Sequence, residues 1–253
     1  WNDLTSVDGA VIPELLSRFG VGGLADLRGM FAVVAFDTQL RQCLLAVDQF
    51  GIKPLFIRAD YRGVVAASSL EVVAKSLRST SPNLGDISEF LIRGFMPPNA
   101  VGIQGIDRFG PGEWRCYDQS GLVGKGILQP FDEDNEVAAT WDDFARTFDD
   151  SVSVHTLSEQ PLALALSGGV DSLAIAESLV RQGANFHAFS AVHDLSPAHE
   201  SNLVDRFCHA HSIPKIQVPM YLSEERALQF IEGIERPSID GVNSALLFDA
   251  ISA

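Results

Sequence analysis

Pro161-Leu162-Ala163-Leu164-Ala165-Leu166-Ser167-Gly168-Gly169-Val170-Asp171-Ser172 constrains this chain more than any other stretch. The apolar residues 162–166, set between polar flanks, have the length of a strand buried on both faces of a sheet. From Val170 the period changes: Leu173, Ala176, Leu179 and Val180 recur at helical spacing, and Gly183 stands where a left-handed C-terminal cap belongs. Strand, Ser-Gly-Gly turn and helix are therefore expected.

Such a turn gathers the free N–H groups of a new helix, and the positive end of its dipole, at one spot that two glycines leave open to an anion. Phosphate suits that spot. The hydroxyls of Ser167 and Ser172 can donate to its oxygens, and Asp171 can hold the accompanying Mg²⁺. No lysine follows the glycines, whereas the Walker loop of kinases and GTPases sets one against the β- and γ-phosphates. The bland alternative is an ordinary glycine turn in a βα unit. The hexapeptide Ser167 to Ser172 after a hydrophobic strand resembles the pyrophosphate loop of the N-type ATP pyrophosphatases, which adenylate an oxygen and release pyrophosphate.

With 253 residues, 46% of them hydrophobic, the chain can build one large core or two of ordinary size. Its net charge of −15 argues against nucleic acid as a partner, since a duplex binder needs a basic face. Cys43, Cys116 and Cys208 are widely spaced and odd in number, with no zinc or disulfide pattern, which suits a reducing compartment. No apolar run approaches a membrane span and no basic-then-apolar leader opens the chain, so a soluble cytoplasmic protein without a membrane partner is expected.

Taken in order, Val11, Ile12, Leu15, Leu16 and Phe19 share one helical face, with Asp8 at the N-cap, Pro13 in the first turn and Gly20 at the end. Strands are expected at 30–36, 42–47, 55–58 and 64–68, joined by short turns that favour antiparallel neighbours, and then a helix over 70–77. Residues 79–126 are turn-rich, with a short helix over 87–92 and a strand over 113–117. The acidic run 132–136 marks a domain boundary. Beyond it come a helix over 141–154, the loop unit, a strand over 186–192, a helix over 198–211, a strand over 216–218 and a helix after Ser223. That alternation points to a parallel, doubly wound sheet.

The first half carries a signature of its own: Leu27-Arg28-Gly29-Met30-Phe31-Ala32, then Asp48-Gln49-Phe50-Gly51-Ile52-Lys53-Pro54-Leu55, then Gly105-Ile106 with Gly110-Pro111-Gly112. With Ser167 to Ser172 and Phe189-Ser190, it resembles the glutamine-dependent asparagine synthetase family over almost the whole chain. The resemblance implies two domains. An α+β glutaminase-type amidotransferase domain, antiparallel sheets layered with helices, covers 1–128. An acidic linker covers 129–140, and an α/β ATP pyrophosphatase domain with a doubly wound parallel sheet covers 141–253. It also implies ATP and Mg²⁺ as cofactors, with glutamine, ATP and a carboxylate such as aspartate as small-molecule substrates; a homodimer is one assembly open to it. Ammonia from glutamine would convert an adenylated carboxylate to an amide, and both intermediates need a dry enclosure.

By the same resemblance Leu166, Ser167, Gly168, Gly169, Asp171, Ser172 and Ala191 bind ATP, with Asp171 on the metal. Asp8 holds the ammonium of glutamine or is only a cap. Asp240 and Asn243 lie where family members place residues near the acceptor, or in a loop followed by a cap, and Arg236 replaces the acidic residue usual before Pro237. The family's nucleophile, an N-terminal cysteine, is expected upstream of Trp1, and a second acidic ATP loop beyond Ala253, which makes the chain an internal fragment that should not catalyse the whole reaction. A relative with another acceptor, β-lactam, peptide or saccharide, and a non-catalytic ATP-binding homologue remain the alternatives. His209 and His211 point apart on a helix and suit a helix-end surface or packing role better than a metal.

Overall fold

In the computed structural model the described residues are 8–128, 140–158, 160–192, 198–219 and 225. They fall into two compact units, one of 8–128 and one from 140 onward.

In the first unit, α1 (Val11–Phe19) buries Leu15 and half-buries Val11, Ile12 and Leu16 of the expected apolar face while Phe19 stays exposed, and Gly20, at φ 62°, ends the helix by donating its N–H to Leu16 O. Asp8 does not stand at its N-cap position. Asp8–Ala10 form a separate 3₁₀ turn, and Ala10 stands at the N-cap with no side-chain bond to the helix. Strands β1 (Ala32–Asp37) and β2 (Gln42–Val47) form the expected hairpin, closed by Asp37, whose carboxylate accepts from the N–H groups of Gln39 and Leu40 at 2.8 Å. β1 begins at Ala32 and not at Met30, because the Phe31 amide turns to the Asp48 carboxylate.

β3 (Phe56–Asp60) and β4 (Gly63–Ala67) make a second antiparallel pair, completed by the two-residue β5 (Asp107–Arg108). Between them, α2 (Leu70–Ala74) is shorter than the spacing suggests: Ser76 and Leu77 donate to carbonyls three residues back, so the helix tightens and stops. α3 (Leu84–Arg93) is longer than expected, capped by Asn83 and ended by Gly94 at φ 77°. β6 (Glu113–Asp118) pairs with β2 and with β7 (Gly121–Ile127), which the turn-rich reading of 79–126 missed. Trp114 lies across Gly124 and Gly126, and at Gly126 an added Cβ would sit 2.8 Å from its ring nitrogen. These glycines belong to a strand because a cross-strand indole fills the space their side chains leave.

Two sheets result, β1-β2-β6-β7 and β4-β3-β5. Leu45, Val47 and Tyr117 of the first meet Ile57 of the second, while Leu44 and Ala46 turn to Leu24 and α1, and Phe56 turns to Leu70 and Val73. Strand alternation thus builds helix, sheet, sheet, helix, with β2 and β3 buried on both faces.

In the second unit α4 (Trp141–His155) starts from a capping box in which Thr140 and Asp143 exchange hydrogen bonds. β8 (Leu162–Ala165), α5 (Val170–Arg181), β9 (Phe186–Val192), α6 (Ala198–His211) and β10 (Lys215–Pro219) follow. The strands are parallel in the order β10-β9-β8. Val152, Leu166, Ala176, Leu179, Phe186, Ala188, Val204 and Cys208 form one core, so α4, α5 and α6 contribute to a single helical layer. A second layer, which a doubly wound sheet requires, is not found among the described residues. The acidic run 132–136 and the helix expected after Ser223 lie outside them, apart from Glu225. No helix among the described residues is long and apolar enough to cross a membrane.

Candidate functional site

The loop between β8 and α5 stands at the carboxyl end of a parallel strand, the end of such sheets where ligands bind. Leu166 is buried and extends the β8–β9 pairing by donating its N–H to Phe189 O at 2.7 Å. Gly168 turns the chain at φ 86°, in the left-handed region that favours glycine. Gly169, at φ −70° and ψ 157°, is the N-cap, and its carbonyl accepts the first helical bond from Leu173 at 3.1 Å. With no side-chain cap, the N–H groups of Val170, Asp171 and Ser172 lack an i−4 carbonyl within the helix.

Two hydroxyls line this turn. Ser172 Oγ donates to Gly169 O at 3.0 Å and lies 3.2 Å from Ser167 Oγ, which accepts from the Gly169 N–H at 3.3 Å. The loop therefore satisfies its own hydroxyls, and each must rotate to donate to a ligand. Val170 is 80% exposed and Asp171 is exposed, so solvent reaches the mouth. Among the described residues, the Asp171 carboxylate has no hydrogen-bond or ion-pair partner. Free amides, a helix N-terminus, two hydroxyls and a spare carboxylate can hold an oxyanion together with a cation.

The structure brings Leu166, Ser167, Gly168, Gly169, Asp171 and Ser172 together in this loop. Ala191 lies on β9, in register with Val218 of β10 and two residues beyond the carbonyl that Leu166 bonds. Asp8 belongs to the other unit, in its 3₁₀ turn. Asp240 and Asn243 lie outside the described residues, as does Arg236. The three thiols stay free and unactivated. Burial pushes Cys43, Cys116 and Cys208 up in pKa, the reverse of what a nucleophile needs.

Two features escaped the sequence. Asp48 is fully buried, and its carboxylate accepts from four backbone amides: Phe50 and Ile52 on Oδ1, each at 3.1 Å, with Phe31 at 3.2 Å and Lys53 at 3.1 Å on Oδ2. Its own carbonyl accepts from Gly51 and Gly112 at 2.8 Å, so the 48–55 and 110–112 segments are tied together through one residue. A lone acid after the apolar run of β2, next to a glycine turn, was the available signal. The other feature is Asp149 on α4. Its Oδ1 accepts from the buried Ser178 hydroxyl at 2.5 Å and from Arg181 at 2.6 Å, and these two, the hydroxyl first, hold the carboxyl below its ordinary range.

Residues 3–127 match the glutamine amidotransferase domain family, and residues 143–240 match the asparagine synthase family. A Mycobacterium tuberculosis protein provisionally named a glutamine-hydrolysing asparagine synthetase is 29% identical over 201 residues, which is 74% of this chain and 30% of that protein. Escherichia coli asparagine synthetase B is 27% identical over 66% of this chain and 26% of its own length. The asparagine synthetase of Cricetulus griseus is 26% identical over 70% of this chain and 32% of its own length. The chain thus spans less than a third of each of these relatives. With an amidotransferase segment and a synthase segment matched in that order, the chain belongs to the glutamine-dependent asparagine synthetase family.

Proposed function

We propose that this chain serves an ATP-driven amide synthesis in which a carboxylate is adenylated, pyrophosphate leaves, and nitrogen from glutamine completes the amide. The observation that carries the reading is the turn at 167–172: it combines unpaired first-turn amides with two serine hydroxyls and offers no lysine for a terminal phosphoryl transfer. Ser167 and Ser172 would rotate their protons from the loop onto phosphate oxygens. Leu166 and Ala191, at the ends of β8 and β9, would border the nucleoside, and Asp171 would hold Mg²⁺. That ion would offset the charge gathered between the phosphates. In the first unit, Asp8 is proposed to hold the ammonium of glutamine. Aspartate is the proposed acceptor, with Asp240 and Asn243 as the residues nearest to it; residues 1–128 would form the amidotransferase domain and 141–253 the ATP pyrophosphatase domain.

The test on this chain is nucleotide binding. Calorimetric titration with ATP and Mg²⁺ should show a single site that Ser172→Ala weakens by about tenfold, the scale expected on losing a hydrogen bond to a charged group. An absence of binding at millimolar ATP overturns the reading.

A further inference from the structure

The loop's geometry depends on where α5 sits, and the core contacts of α5 are apolar. Ala176 and Leu179 pack with Val152, Leu166 and Phe186, contacts with little directional preference that would tolerate a small rotation of the helix. At the other end of α5 the contacts are directional. Ser178 is fully buried and donates to Asp149 Oδ1 at 2.5 Å, Arg181 reaches the same oxygen at 2.6 Å, and the Gln182 side-chain amide donates to Asp149 O at 2.9 Å and to Ser178 Oγ at 3.0 Å. One residue of α4 thus receives three side chains from the end of α5.

We infer that Asp149 is a positioning residue for the anion-binding loop, fixing the rotation and register of α5 so that Gly169 to Ser172 present their donors at the end of β8; this rests on the nucleotide reading above. Ser178 follows Ser172 by about 9 Å of helix rise, a span over which an α-helix moves as a rigid rod. A helix that slips at Ser178 therefore displaces the Val170–Ser172 amides by a similar amount. Displacements of about 1 Å in a positioned site lower function by up to about a hundredfold.

The test compares Asp149→Asn, Ser178→Ala, the pair combined, and Val152→Ala, which opens the same core without touching the cluster. Affinity for ATP with Mg²⁺ is measured by calorimetry, and the amide of Leu173, which closes the first helical bond to Gly169 O, is followed by hydrogen exchange. Asp149→Asn and Ser178→Ala should each weaken binding about five- to tenfold and speed exchange at Leu173, the pair together doing no more than the larger single change. Val152→Ala should stay within about twofold of the parent. Equal weakening by Val152→Ala overturns the inference, because general loss of packing would then suffice. Binding that the Asp149 and Ser178 variants leave unchanged overturns it too, with the nucleotide reading intact. A parent chain that does not bind overturns both.

Discussion

Asp48→Ala should strongly destabilise the first unit. The carboxylate is fully buried and takes four backbone N–H groups, two on each oxygen. The four amides are only partly buried, so each loses less than the roughly 1–3 kcal/mol of a fully buried orphan donor, and the whole loss, the emptied carboxylate site included, comes to about 3–5 kcal/mol. For a unit of this size that lowers the thermal midpoint by about 10–20 °C. Asp48→Asn sharpens the test. Its amide keeps one oxygen for two of the N–H groups and turns an NH₂ against the other two, whichever way it is flipped, which predicts about 2–4 kcal/mol. Thermal unfolding followed by circular dichroism, with the Trp114 emission as a probe within the unit, gives both values. If Asp48→Asn costs less than about 1 kcal/mol, the four amides do not depend on the carboxylate and the reasoning fails.

Three further expectations come from single positions. Gly168→Ala places a Cβ at φ 86° and should cost about 1–2 kcal/mol in chemical denaturation, with weaker nucleotide binding; an unchanged midpoint would show that the turn is not held in the left-handed region. Gly126→Val brings a side chain within 2.8 Å of the Trp114 ring and should displace the indole, red-shift its emission and destabilise by about 1–3 kcal/mol. Asp60 is held at about 2, chiefly by the hydrogen bond from the Arg62 side chain, with Arg58 adding attraction. Because the folded value lies below the unfolded one, its stabilisation is complete above the ordinary carboxylate range and disappears as pH falls through about 2. Carbon-detected titration by NMR should find that low value, and Arg62→Ala should raise it; a midpoint near 4 in the parent would contradict the pairing.

What the amino-acid pattern revealed follows from how local the governing physics is. The β8 strand, the Ser-Gly-Gly turn and α5 were legible because period, glycine and cap all lie within a few residues. The 42–47 strand was legible for the same reason. β7 was not, because its glycines read as turns unless Trp114 is known to lie across them, and that contact joins different strands. Asp8 looked like an N-cap, yet it opens a 3₁₀ turn that precedes α1. The roles of Asp48 and Asp149 were hidden by distance: Asp48 binds an amide seventeen residues upstream, and Asp149 meets a hydroxyl twenty-nine residues downstream. Charge type alone could not tell these carboxylates from solvated ones.

For an acidic chain to hold a polyanion, as proposed for the 167–172 turn, its attraction must be local. With a net charge of −15, the protein as a whole repels ATP, but at physiological ionic strength carboxylates more than about 8 Å from the loop are largely screened. What acts at the turn itself is the set of first-turn amides, which are neutral donors at the positive end of a helix, together with the exposed carboxylate of Asp171 in that first turn. In the proposed site that carboxylate would oppose the phosphates without a cation and would attract them with Mg²⁺ held between. The sign of its contribution should therefore reverse with the metal. In Mg²⁺, Asp171→Asn should weaken ATP binding by about tenfold or more, whereas in excess chelator the variant should bind at least as well as the parent. Calorimetry in the two buffers reads both arms. If the variant binds more weakly in each buffer by the same factor, Asp171 acts by shaping the turn and not by holding the cation.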